Sequence, residues 1–95
     1  MKAYELLLLL NPSLDEEARA AVLDKAQGVI TADGGVVDGV DSWGKRKLAY
    51  EIEGLLEGIY YVVTFTATPS AVAEVERVLG ITDDVVRFKT LRLKV

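Results

Sequence analysis

"GIYYVVTFTATPS", residues 58–70, joins the most strand-like run of the chain to the start of a helix. Residues 59–67 are almost all β-branched or aromatic, types that fit a pleated surface. Thr64 and Thr66 are the polar members, so the face they share with Tyr60 and Val62 reads as the outer one. Ile59, Tyr61, Val63, Phe65 and Ala67 then face a core. Thr68 supplies a helix cap and Pro69 suits a first helical position. In the helix that follows, Val72, Val75 and Leu79 form a buried stripe and Gly80 ends it.

Working outward, "KAYELLLLL" (2–10) is too apolar for a half-exposed strand and reads as a central one, buried on both faces. Ser13 with Glu16 makes a capping box for a helix whose Ala18, Val22, Ala26, Val29 and Ile30 keep helical spacing, up to Gly34 and Gly35. Residues 36–53 read as one long strand, bent or bulged near Gly44, with a separate small hairpin as the alternative. Leu48, Tyr50 and Ile52 are placed on its core face. "GLLEG" (54–58) is a turn. Residues 85–95 alternate apolar and basic, with one phase slip near Thr90.

The order is βαββαβ. It implies an α+β, ferredoxin-like fold over residues 1–95: a four-stranded antiparallel sheet with two helices on one face. Strands one and three, the most apolar, take the centre. Strands two and four are the edges, and there the cations collect.

The chain of 95 residues has 15 acidic and 11 basic residues, a net charge of −4. It has no Cys, which removes disulfides and thiolate sites, and no His, which removes the usual neutral-pH general base. No run approaches a membrane span, and no signal peptide is read. No cofactor, metal site or small-molecule substrate is expected. "DGGVVDG" (33–39) follows a helix and opens a strand, the reverse of a phosphate loop, and reads as a turn. Asp33, Asp38 and Asp41 are of a type that can hold a hard cation, but nothing fixes them as ligands, and the adjacent Asp83 and Asp84 read as solvated loop caps.

The open sheet face is expected to carry Ala3, Glu5, Leu7 and Leu9, with Tyr60, Val62 and Thr64, as an apolar centre. Its rim is Lys45 and Lys47 on one edge and Arg87, Lys89 and Leu91 on the other. An apolar patch rimmed by charge suggests a partner surface, assigned to Leu7, Leu9, Trp43, Tyr60, Val62 and Leu91. The plain alternative is that scattered outward apolar residues are ordinary, and that lysines and arginines guard strand edges. An RNA-recognition module stacks bases on two or three aromatics of strands one and three. Here Tyr4 takes the inward phase and only Tyr60 points outward, so that match is poor.

With the strands placed, four stretches carry a family likeness: "YELLLLLNPSLDEE" (4–17), "WGKRKLAYEIEG" (43–54), "GIYYVVTF" (58–65) and "LGITDDVVRFKTLRLKV" (79–95). The chain resembles the family of bacterial small-subunit ribosomal protein six, over nearly its whole length. The resemblance implies a structural role without catalysis, in the cytoplasmic ribosome. It implies binding of small-subunit ribosomal RNA in the central domain, on the platform. The partner is the small basic protein numbered eighteen, in a heterodimer. The family's cations after the strand-two glycine map onto Lys45, Arg46 and Lys47; Lys2 and Tyr4 match its basic-aromatic opening, and Arg87 a basic position of strand four. Lys89, Arg92 and Lys94 complete the RNA-binding set through the basic final segment. Many members continue past strand four with a tail, whereas this sequence stops at Val95, so partner contacts made through such a tail are not carried over from the resemblance. The alternative function is a free-standing regulatory or ligand-binding domain that forms homodimers through the open face. A small phosphate-handling enzyme is a third reading, for which "NPSLDEE" supplies only acids.

Overall fold

The computed structural model describes residues 1–52 and 54–93. Strand β1 (Lys2–Leu10) is followed by α1 (Glu16–Ala32), β2 (Val36–Ile52), β3 (Leu55–Ala67), α2 (Pro69–Gly80) and β4 (Val85–Arg92). The strands form one antiparallel sheet in the order β2-β3-β1-β4. The two most apolar strands are central, as read from the sequence.

Alternation along β1 and β3 puts Tyr4, Leu6, Leu8 and Leu10 together with Ile59, Tyr61, Val63, Phe65 and Ala67. Onto them pack Val22, Ala26 and Ile30 of α1 and Ala71, Val72, Val75 and Leu79 of α2, which form one core. Both helices therefore cover one side of the sheet. None among the described residues is long and apolar enough to cross a membrane.

The helix ends follow local chemistry. Asp15, not Ser13, caps α1: its carboxylate accepts from the Ala18 amide at 2.8 Å. Ser13 instead donates its amide and hydroxyl to the Asn11 side chain, at 3.0 and 2.8 Å, and this local turn delays the helix by two residues. At the other end Gly35 N–H donates to Ile30 and Gly34 N–H to Thr31, a Schellman closure with Gly34 at φ 82°. Thr68 caps α2 as expected, accepting from Ala71 at 3.2 Å. Gly80 is the last helical residue of α2, and Ile81 is its C-cap.

β2 begins at Val36, as read from the sequence, so only the first part of "DGGVVDG" is a turn. The other strands differ from expectation in two places. β3 begins at Leu55, because residues 57 and 58 pair with Lys47 and Arg46 instead of turning. The irregularity in β4 lies at Val86, opposite the Leu9/Leu10 step, and not near Thr90. Thr90 faces the helices opposite Leu6, where its hydroxyl is buried without a hydrogen-bond partner. Thr90→Val keeps the shape and removes that unpaired group, so it is expected to raise stability by about 1 kcal/mol. A urea midpoint that falls would show that the hydroxyl is satisfied in solution.

Candidate functional site

β2 positions the side chains that matter most, and it does so through irregularities. Its ladder with β3 shifts at Val37/Gly39, at Ser42/Gly44 and between Lys47 and Ile52. The extra residue at the second shift is Trp43, followed by Gly44 at φ 73°, a backbone state costly for any other residue. Directly paired residues share a face. Gly44 stands opposite Tyr60, so it lies on the open side. Lys45 is opposite Ile59 and Lys47 opposite Glu57, on the helix side, while Arg46, opposite Gly58, is on the open side.

This inverts the expected phase of the strand. Lys45 and Lys47 do not point onto the open face; Arg46 does. Tyr50 is not in the core but 66% exposed, and it lines a groove on the open side with Ile52. The reason is that the end of β2, paired with the first residues of β3, lies beyond the part of the sheet that the helices cover. Its apolar residues lean over the open face instead.

That overhang changes the expected apolar centre. Leu9 and Val62 do lie on the open side of the sheet, but Leu9 is 4% and Val62 7% exposed. Leu9 lies directly over Gly58, where a Cβ would sit 2.2 Å from its Cδ1. Neither offers contact surface, and Leu9 forms part of a groove floor. That groove, with a volume of about 340 Å³, is lined by Leu7, Leu9, Tyr50, Ile52 and Tyr60, with Phe88 and the cations Arg87 and Lys89 on the β4 side. A second cleft of about 400 Å³ adjoins it, lined by Trp43, Arg46 and Tyr60. Tyr60 belongs to both.

The basic residues form two groups. Lys45, Arg46 and Lys47 are exposed on β2; Arg87 and Lys89 are exposed on the open side of β4, opposite Leu9 and Leu7. These outer strands are three strand spacings apart, roughly 14 Å. Leu91 shares the open face with Arg87 and Lys89, opposite Glu5. Arg92, opposite Tyr4, and Lys2, opposite Ala67, are exposed but on the helix side. Lys94 and Glu53 lie outside the described residues. Tyr4 is a correction: it is 7% exposed and stacked on Phe65 with ring centroids 5.6 Å apart, so its ring is core and cannot meet RNA.

The remaining acids have local tasks. Asp33, the C-cap of α1, accepts from the hydroxyl of Thr68, the N-cap of α2, at 2.7 Å, and Asp38 of β2 accepts from Thr66 of β3 at 3.0 Å. Among the described residues no three such side chains converge on a metal-sized site. The Arg77 guanidinium hydrogen-bonds Glu74 and holds its carboxyl below the usual range, and Arg77 is raised in return. That pair is on the exposed surface of α2 and serves no site.

Sequence reasoning missed Tyr50 and Ile52 as groove residues, while Phe88, opposite Leu8, borders the groove but packs against the core. It read Tyr50 and Ile52 as core because they are apolar, and apolarity does not say which side of a sheet a residue covers. It also missed that a bulge brings Trp43 to Tyr60, with ring centroids 6.3 Å apart.

Residues 3–92 match the family model described as ribosomal protein S6. The chain is 54% identical over 88 residues to small ribosomal subunit protein bS6 of Clostridium novyi, covering 93% of each. It is 52% identical over 92 residues to bS6 of Rhodococcus opacus, covering 97% of each. The crystal structure of 30S ribosomal protein S6 from Thermotoga maritima superposes with a TM-score of 0.90 at 30% identity, over 97% of this chain and 87% of that one.

Proposed function

The chain belongs to the ribosomal protein S6 family, and on that premise we propose that it binds small-subunit ribosomal RNA jointly with the basic ribosomal protein eighteen, on the platform of the central domain. Membership makes it a structural, non-enzymatic constituent of the small subunit of the cytoplasmic ribosome. The observation that supports the joint binding is the helix-free sheet face. It carries an apolar, aromatic groove with Arg87 and Lys89 at one side and Arg46 at the other.

The partner seats on the β4 side of this face, over Leu7 and Leu91, with Leu9 as part of the floor beneath. RNA follows the cations: Lys45, Arg46 and Lys47 on β2, with Arg87 and Lys89, and Lys2 and Arg92 toward the sheet's other end. A net charge of −4 makes RNA binding by the chain alone weak. A docked basic protein offsets that charge and joins two basic surfaces, so partner and RNA bind cooperatively, with reciprocal coupling.

Changing Lys45, Arg46 and Lys47 together to Ala is expected to weaken the ternary complex. It lowers the salt slope by up to about 0.9 per lost phosphate contact. All three are exposed, so stability changes by only about ±0.5 kcal/mol. Filter binding across a salt titration, with and without the partner, measures both effects. An RNA affinity that the partner does not change, or a slope that the triple change leaves alone, removes the cluster from the RNA interface. Failure to co-sediment with small subunits at low salt refutes the whole reading.

A further inference from the structure

We propose that Trp43 and Tyr60 form a stacking site for one unpaired nucleobase, with Arg46 held beside it for the adjoining phosphate. The inference rests on the RNA reading above and adds to it a contact of defined chemistry.

The two rings meet at 6.3 Å between centroids with their planes 43° apart. Rings at that angle do not cover each other's faces, and Trp43 remains 50% exposed beside the open cleft. An indole kept half in solvent by a bulge and a left-handed glycine is aimed, since a bulge re-aims a side chain. Aromatic faces presented this way take the flat face of a base that is not paired.

Arg46 is prepared as well. Its Nε donates to the Trp43 carbonyl at 3.0 Å, which fixes the guanidinium against the same bulge. Its remaining N–H donors have no protein acceptor among the described residues. Lys45 and Lys47 flank it on the other side of the strand. A strand of RNA can then run along β2 with phosphates at the cations and one base turned over the edge onto the indole. Asp41, opposite Val62 on the open side, is the nearby acid of this face and steers phosphate toward Arg46. The competing occupant is an apolar side chain of the partner protein. Arg46 is the cation that lines this cleft, and its guanidinium beside two aromatic rings favours a phosphate and base over an apolar side chain.

Trp43 is the only tryptophan, so its fluorescence reads the site directly. The full chain, alone and with ribosomal protein eighteen, is titrated at low salt with oligoadenylate and with an RNA duplex, and binding is followed separately by filter retention. Oligoadenylate is expected to quench Trp43. Trp43→Leu should weaken its binding by about 5- to 150-fold, the worth of one base–aromatic stack, with much of the loss recovered in Trp43→Phe. Tyr60→Leu should act in the same direction, and duplex binding should change little. Oligoadenylate that is retained without quenching, and equally by Trp43→Leu, overturns the stack and leaves the RNA reading standing. Retention of neither RNA, even with the partner, overturns both. Quenching by the partner alone, with Trp43→Leu weakening only the partner, assigns the pair to the protein interface and overturns the proposal.

Discussion

Phe65→Ala is expected to cost about 3–5 kcal/mol of folding stability. Phe65 heads the fully buried side chains, at 0% exposure, on a central strand. It stands directly opposite Tyr4, and the two rings stack with planes 23° apart, which binds β1 to β3 beneath both helices. Truncation removes the ring's burial and leaves a cavity that strands fixed on both sides cannot close. A domain of this size is stable by only about 5–15 kcal/mol, so the variant should be marginal at room temperature. Urea melts of wild type and variant measure the difference. A loss below about 1 kcal/mol would mean that the ring is not packed where the structure has it.

Gly35→Ala should cost about 1–3 kcal/mol, although Gly35 needs no unusual φ. The limit is space. A Cβ there would lie 2.8 Å from the Ile30 Cγ2, the Ile30 carbonyl oxygen and the Thr66 carbonyl oxygen. Two of these atoms are backbone, held by the helix closure and by the sheet, so neither can swing away as a side chain would. Gly28→Ala is the internal comparison. Gly28 is in the interior of α1 with nothing within 4 Å of a Cβ, so alanine should add about 1 kcal/mol through helix propensity. Opposite signs for the same chemical change are the expected result. Two shifts of the same sign in parallel denaturant titrations would refute the close approach.

The parts of the fold that could be read in advance are those where one signal has one meaning. Residues 59–67 are strand formers whose only polar members, Thr64 and Thr66, share one face, and they border a capped helix start, so the phase of β3 and the beginning of α2 followed directly. β1 followed from its apolar run, and the open-face positions Arg87, Lys89 and Leu91 from the apolar–basic alternation of the last segment. β2 did not, because its phase after residue 43 depends on whether one residue or two oppose Tyr60. A Trp-Gly pair signals a bulge but does not say which side the next residue takes. Tyr50 and Ile52 then satisfied the core reading equally well on the wrong side. The cap at Asp15 was hidden for a similar reason: Ser13 and Asp15 are both good capping residues, and a side-chain bond to Asn11 decided between them.

β1 has a place in time as well as in space. It is the first of the six elements to be synthesised, yet Lys2 pairs with Ala67 and Tyr4 with Arg92. Both ladder partners are made only after a helix and a long strand have intervened. Loops of that length must close before any pairing repays their entropy, so folding should be slower than in a helical bundle of equal size. Meanwhile the five leucines from Leu6 to Leu10 stay unpaired on the nascent chain, the condition in which chains associate wrongly. Because β4 closes the last free side of β1, the sheet's centre is sealed only when its final strand arrives.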